Sequence, residues 1–287
     1  MNCIQSLIEQ RTNRRIRTQT PLSGGCISGV FLVEFEDRER CVLKNKPASG
    51  DENTLVIEAR MLEYLEKHSE LPVPGVIDSD RDFLLLSYIE NDGRTNHDSE
   101  NQAGQAISKL HRVHQEGFGL EFTSVLAGFT LENQLHSSWV DFFRDARLLP
   151  FARNAHQSHS ITSRTFERIQ KLSSQLQNYL SEPEKPSLIH GDIWSGNVLW
   201  NQGSLAGIID PAIYYAHPEM ELSFIRLFHT FSNRFFEAYQ RESGMIEKDF
   251  FRIRSDLYNL IPLLVHAILF GGSYAHSIDQ TLSKHGF

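Results

Sequence analysis

Cysteine is scarce in this chain. Cys3, Cys26 and Cys41 are the only thiols among 287 residues. Their number is odd and their spacing is not that of metal ligands, which excludes a disulfide framework or a cysteine zinc site and points to a reducing compartment. An excess of basic residues is also missing. Lys and Arg number 28 against 36 Asp and Glu, a net charge of −8, which argues against a nucleic-acid protein with a basic face. The local cluster Arg11, Arg14, Arg15 and Arg17 reads as a solvated first segment. No apolar run approaches the ~20 residues that cross a bilayer. The longest, residues 261–270, contains Pro262 and His266. No secretory-type apolar segment follows the N-terminus, and no repeat or low-complexity tract is visible. What remains is an ordinary folded composition, 40% hydrophobic and 22% charged, long enough for one large domain or two lobes. The expectation is a cytoplasmic protein without nucleic-acid or membrane partners.

The most informative stretch is 188–200, LIHGDIWSGNVLW. Two apolar runs, read as short strands, flank a polar loop from His190 to Asn197. Asn201-Gln202-Gly203 reads as a tight turn, and a third apolar run, 205–209, leads into Asp210-Pro211. Asn197 follows Asp192 by five residues. A catalytic Asp, four intervening residues and a metal-binding Asn form the spacing used in protein kinases. Phosphoryl transfer needs these groups: a carboxylate for the hydroxyl proton and oxygen ligands for magnesium. The same spacing also occurs in polar surface hairpins, so the remaining chain must decide.

Upstream, residues 3–10 suit a short helix. The small-residue segment 21–29, PLSGGCISG, precedes a β-rich run from Val30 to Phe35. A polar turn leads to a second strand, Cys41 to Lys44. Glycine amides at such a turn can approach phosphates closely, and Lys44 would add a point charge. Residues 52–68 read as a helix with Leu55, Leu62 and Leu65 on one stripe. Glu58 falls on that stripe, where a carboxylate is costly without a cation; Lys44 is the natural partner. Strands follow at 76–77 and 83–89, then the polar segment 90–99. Downstream, Ser99-x-x-Gln102 resembles a capping box. Helices are expected at 103–110, at 139–149 with Pro150 as its stop, at 166–180, from Pro218 to about Tyr239, and over about 249–270.

Glycine turn, strand lysine, helix glutamate, hinge and Asp…Asn…Asp thus occur in one order. That order resembles the protein-kinase-like fold in its small-molecule branch, with the aminoglycoside phosphotransferases and choline kinases. The chain is most similar to the fructosamine kinase (ketosamine-3-kinase) family, on HGDIWSGN at 190–197, IIDPAIYY at 208–215, HPEMEL at 217–222, the 139–149 segment and LFGGSY at 269–274. Ser28 departs from the Asn that usually ends the family's glycine loop. Gly191 stands where protein kinases carry the Arg of H-R-D, which implies a site assembled without activation-loop phosphorylation.

The resemblance implies an α+β, bilobal protein-kinase-like fold. Residues 1–89 would form a β-rich nucleotide lobe and 90–287 a helical catalytic lobe. It implies ATP-dependent phosphorylation of the 3-hydroxyl of a ketosamine, in deglycation or repair, on a small-molecule or protein-bound glycated amine. Asp192 is the expected base and Asn197 and Asp210 the Mg2+ ligands. The expected ATP contacts are Gly24, Gly25, Ser28, Lys44 held by Glu58, and the hinge Ser87, Tyr88 and Ile89. Trp194 is a candidate substrate contact. Cys26, inside the phosphate loop, is a candidate redox-sensitive thiol, because phosphate-binding amides and Lys44 would favour a thiolate. The competing readings are an aminoglycoside- or choline-type kinase, a pseudokinase that binds nucleotide without turnover, and a metal hydrolase using His190, Asp192 and Asp210.

Overall fold

A computed structural model of the chain describes residues 3–22, 29–46, 53–244, 246 and 249–287. Its N-terminal part is helix α1 (Cys3–Thr12), strands β1 (Ile16–Pro21), β2 (Val30–Phe35) and β3 (Arg40–Asn45), helix α2 (Thr54–His68), and strands β4 (Val76–Ser79) and β5 (Phe83–Ser87). The five strands form one antiparallel sheet in the order β1-β2-β3-β5-β4. Strand side chains alternate between faces. Cys41 and Leu43 therefore join Val33, Phe35, Phe83, Leu85 and Ile8 of α1 in one apolar cluster. Val42 turns the other way and packs with Leu84, Leu86 and the α2 residues Leu55, Ala59 and Leu62. Lys44 shares the Val42 face by the same alternation, so the strand aims it at α2. Helical spacing puts Glu58 of α2 on the stripe of Leu55, Leu62 and Leu65, all buried.

Helices dominate the rest. Helix α3 (Ser99–Leu110) is followed by the hairpin β6 (Ser124–Leu126) and β7 (Phe129–Leu131). Next come α4 (Trp139–Phe142), a π-helical turn (Phe143–Leu148), α5 (Leu149–Gln157) and α6 (Ser163–Ser173). The short strands β8 (Ser187–Ile189), β9 (Val198–Asn201), β10 (Ser204–Ile208) and β11 (Tyr214–Ala216) carry the central motif. Helices α7 (Glu219–Leu227), α8 (Asn233–Ser243), α9 (Ser255–Tyr258), α10 (Leu260–Phe270) and α11 (Ser273–Lys284) complete the chain.

Several expected boundaries move. Ser99 does not cap α3; its hydroxyl donates to the Gly203 carbonyl at 2.7 Å, and Asp98 occupies the cap position. Pro150 does not stop a helix. It follows directly on the π-helical turn Phe143–Leu148, near the start of α5, and the helical run continues through it to Gln157. The helix after Pro218 breaks at 228–232, because His229 adopts a positive φ of 50° and Ser232 starts α8 by accepting the Arg234 N–H. The last helix divides into a π-turn (Phe250–Arg254), α9 and α10. The helical stretch Phe250–Phe270 has the length and apolarity of a membrane span, but 67% of its apolar 18-residue window is buried inside the protein.

Helices α3 and α8 pack closely and in parallel. Gly104 faces Phe235, and residues nearer each N-terminus, Glu100 and Ser232, bond to each other. A Cβ on Gly104 would lie 2.7 Å from the Phe235 carbonyl oxygen, so glycine is what permits the approach.

Candidate active site

The strand and helix periodicities converge on a three-membered charge cluster. Lys44 Nζ donates to Glu58 Oε1 at 2.6 Å and to Asp210 Oδ1 at 2.5 Å. Lys44 is 8% exposed, whereas the Asp210 side chain keeps 44% of its surface open. Burial alone would lower the lysine pKa, but the two carboxylates raise it above the usual value. The ammonium is therefore held charged between two anions. Asp210 itself has φ 58°, a conformation that non-glycine residues adopt at some cost and that recurs at functional sites.

The strands flanking the motif do not pair with each other. Leu188 and Ile189 in β8 pair with Tyr215 and Tyr214 of β11, while β9 pairs with β10. Gln202 and Gly203, both at positive φ, close the β9–β10 turn. The loop from His190 to Asn197 is thus fixed at its two ends by separate ribbons. Gly191 has φ +86°, and a Cβ there would lie 2.3 Å from the Ala212 carbonyl oxygen. Only glycine fits that turn. It is also pinned from below. The Glu221 carboxylate accepts the Gly191 N–H at 2.6 Å, the His190 N–H at 3.3 Å and His111 Nε2 at 2.9 Å. His111 Nδ1 in turn meets the Tyr239 hydroxyl at 2.8 Å. Burial would raise the Glu221 pKa, but the bonds and charge of His111 and the Gly191 amide bring it below the usual carboxylate value.

This support aims Asp192. The Asn197 amide donates to the Asp192 backbone carbonyl at 2.8 Å and to its Oδ2 at 2.9 Å. Both bonds use N–H donors, so the Asn197 carbonyl oxygen is the group left for a cation. Burial, reinforced by the Asp210 charge and opposed by the Asn197 bond, pushes Asp192 up to about 7. His190 accepts the Asp192 N–H at 3.3 Å through Nδ1. Burial lowers its pKa to about 4, against the pull of Glu221 and Asp210. It is a neutral ring inside the loop. Trp194 lies across Gly196, where a Cβ would be 2.3 Å from Trp194 Cη2, and its ring is 37% exposed.

The other expected site residues lie as follows. The Ser87 hydroxyl accepts the Gly75 N–H at 2.8 Å. The Arg40 guanidinium covers the Tyr88 ring at 4.4 Å. The Ile89 carbonyl accepts from Asn91 at 2.9 Å. Just beyond, the N–H groups of Asp92 and Gly93 both donate to the Trp200 carbonyl, tying this segment to β9. Gly24, Gly25, Cys26 and Ser28 lie outside the described residues. Cys41 is fully buried, and burial pushes its thiol up to about 12.

Asp210 and the Asn197 carbonyl supply hard oxygen donors, the kind magnesium takes. Among the described residues no group of three or more His, Cys, Asp or Glu could hold a metal, and magnesium in phosphoryl-transfer sites uses only one or two carboxylates plus substrate phosphates. The donor set fits that ion.

Sequence reasoning did not find Glu221 and His111. A signal was available: Glu219 and Glu221 fall in the mostly apolar run from Tyr214 to Ile225, where two acids need buried partners as Glu58 does.

A family model described as fructosamine kinase matches residues 1–285. A Lactiplantibacillus plantarum protein named "Probable ketoamine kinase" is 29% identical over 99% of this chain and 100% of its own. The chloroplastic protein-ribulosamine 3-kinase of Arabidopsis thaliana is 27% identical over 89% of this chain and 78% of its own. A crystal structure from Thermobifida fusca, described as that of a "putative fructosamine-3-kinase", superposes with a TM-score of 0.89 at 27% identity, over 99% of this chain and 98% of that one. Aminoglycoside phosphotransferase APH(4)-Ia shares the fold, with a TM-score of 0.68 at 14% identity over 99% of both chains.

Proposed function

The chain belongs to the fructosamine kinase family, and from that premise we propose that it transfers the γ-phosphoryl group of ATP to the 3-hydroxyl of a ketosamine. The family makes it a kinase of sugar amines acting on a hydroxyl. The position of attack is supported by the 3-kinase name of the Arabidopsis relative. The observation that carries the reading is the meeting of Lys44, Asp210, Asn197 and Asp192 in one cleft, with Asp192 pushed up to about 7.

The roles follow from the chemistry. Lys44, kept charged by Glu58, holds the α- and β-phosphates. The backbone of Ser87, Tyr88 and Ile89 receives adenine, and the segment with Gly24, Gly25 and Ser28 covers the phosphates. Residues 1–89 thereby serve the nucleotide and 90–287 the acceptor. Asp210 and the Asn197 carbonyl would hold magnesium, which when bound supplies positive charge against the phosphate oxygens. Asp192 accepts the acceptor's hydroxyl proton. The alcohol oxygen bonds to the γ-phosphorus as the bond to the β–γ bridging oxygen breaks, giving a phosphate monoester and ADP. A base whose pKa lies near the working pH combines a populated carboxylate with useful proton affinity. Trp194 offers an exposed ring face for the sugar. The acidic balance of the chain and the bacterial homologues support a cytoplasmic site of action on free or protein-bound glycated amines.

Incubation with magnesium-ATP and a panel of ketosamines, aminoglycosides and choline, read by mass spectrometry, tests the proposal. Phosphorylated ketosamine is expected. In Asp192→Asn, kcat falls by ~10²-fold or more with ATP binding retained. Phosphorylation of only the aminoglycosides or choline, or nucleotide binding without any product, would sink it.

A further inference from the structure

Beside the catalytic loop the structure holds a cavity of about 190 Å³. Its walls come from four places: the chain leaving the hinge at Asn96, the first turn of α3 at Glu100, the loop itself at Ser195 with Trp200 of β9, and the first turn of α8 at Ser232 and Arg234. The parallel packing of α3 and α8 is what brings the second and fourth of these walls together.

Two links tie this cavity to the reacting centre. Ser195 is three residues after Asp192, in the turn closed by the Asn197 N–H on the Trp194 carbonyl at 2.9 Å. Thr230, another lining residue, reaches the carbonyl of Ile193, the residue after Asp192, at 3.3 Å through its hydroxyl. The wall and the loop that aims the base are therefore one piece.

The lining chemistry selects the occupant. Arg234 and Glu100 balance in charge and His97 is the third titratable side chain of the lining, so no strong charge of one sign is offered to a phosphate or a polycation. The Glu100 carboxylate is fixed by the Ser232 N–H at 3.1 Å and by the Ser232 hydroxyl. The Arg234 guanidinium has no protein partner among the described residues, so its donors are available. Trp200 and Phe231 meet edge to face at 6.3 Å and form an aromatic wall. Fixed acceptors, available donors, hydroxyls and a ring face suit a chain of hydroxyl groups, each of which both donates and accepts. Resting on the reading of the site as a sugar-amine kinase, we infer that this cavity receives the hydroxylated tail of the acceptor sugar, the carbons beyond the one phosphorylated. It thereby sets which sugar length is preferred, while the amine projects elsewhere.

The test uses two substrate series with the full chain and magnesium-ATP. One series holds the amine constant and varies the sugar over four, five and six carbons. The other holds a six-carbon sugar constant and varies the amine. Arg234→Ala removes the available donor, and Thr95→Tyr fills the cavity from its exposed rim. Loss of one charge-assisted hydrogen bond corresponds to about tenfold or more. The six-carbon ketosamine should therefore lose about tenfold in kcat/KM in Arg234→Ala, the four-carbon one less than twofold, with the KM for ATP unchanged. Thr95→Tyr should shift preference in the same direction, and both variants should scale all amines of the second series equally. An equal loss at every sugar length, a change that follows the amine, or no change in either variant overturns the inference while leaving the kinase reading intact. If the wild type phosphorylates no ketosamine, the kinase reading falls and takes the inference with it.

Discussion

Three cations are buried among the described residues, Lys44, Arg147 and Arg254, and the two that meet carboxylates are treated differently. Arg254, 5% exposed, forks onto Glu219, 1% exposed, with bonds of 2.7 and 2.6 Å. Both partners of this pair are buried. Lys44 is as deeply placed but faces two carboxylates, one of which, Asp210, remains 44% open. A pair buried on both sides presents no charged edge to a ligand. A cluster whose second carboxylate stands at an open edge is set to receive another cation. The two look alike as buried ion pairs, and the exposure of Asp210 separates site from scaffold.

The contrast can be broken first at Arg254. Arg254→Met strands a buried carboxylate, so stability should fall by about 3–5 kcal/mol, measured by urea unfolding, with kcat within a few-fold where the variant is folded. Lys44→Met should do the reverse, losing turnover with the smaller stability loss, since Asp210 can turn to solvent. If Arg254→Met is the variant that loses turnover while folded, the distinction is wrong.

A smaller effect sharpens the other side. Lys44→Met and Glu58→Gln, alone and together, should be non-additive in ATP turnover, with a coupling of about 0.5–3 kcal/mol. Additive losses would show that Glu58 does not act through Lys44.

A pH-dependent effect concerns His217, beside the Arg254 pair. Its Nδ1 accepts the Glu219 N–H at 3.1 Å, and burial, with Arg254 and His111 nearby, lowers its pKa to about 3. The folded state therefore refuses a proton that the unfolded state takes at about 6.5. This contribution to stability is complete above pH 6.5 and is lost as pH falls toward 3. His190, at about 4, acts in the same sense. His217→Gln should flatten the pH dependence of unfolding between pH 6 and 4 by about 1.4 kcal/mol per pH unit. An unchanged slope would mean that His217 is protonated in the native state.

Much of this was legible in the chain, for one reason: local periodicity and charge cost can be read without the fold. Strand alternation put Lys44 on the α2 face, and the acid on the leucine stripe identified Glu58 as its partner. The five-residue spacing from Asp192 to Asn197 is short enough to close as a direct bond. The second contact of Lys44, to Asp210, spans 166 residues and leaves no local trace. For the support of the catalytic loop only half was legible: Glu221 stands out in a mostly apolar run, but its partner His111, and Tyr239 behind it, depend on how α3, α7 and α8 pack. Helix ends were misplaced where a local signal served another purpose. Ser99 bonds to the β9–β10 turn, Pro150 sits near the start of α5 in a helical run that continues through it, and His229 breaks a run whose hydrophobic pattern continues past it.

The two glycines of the central motif carry different kinds of constraint. Gly191 is fixed by the backbone itself, through its positive φ and the Ala212 carbonyl, so no change elsewhere on the side-chain level would release it. Gly196 is held by a side chain alone: the atoms that a Cβ would strike all belong to the Trp194 ring. Its identity is thus conditional on the tryptophan two positions before it. Across descendants of this sequence the first glycine should stay constant on its own. The second should vary only in lineages where the indole has gone, so that positions 194 and 196 drift as one heritable unit.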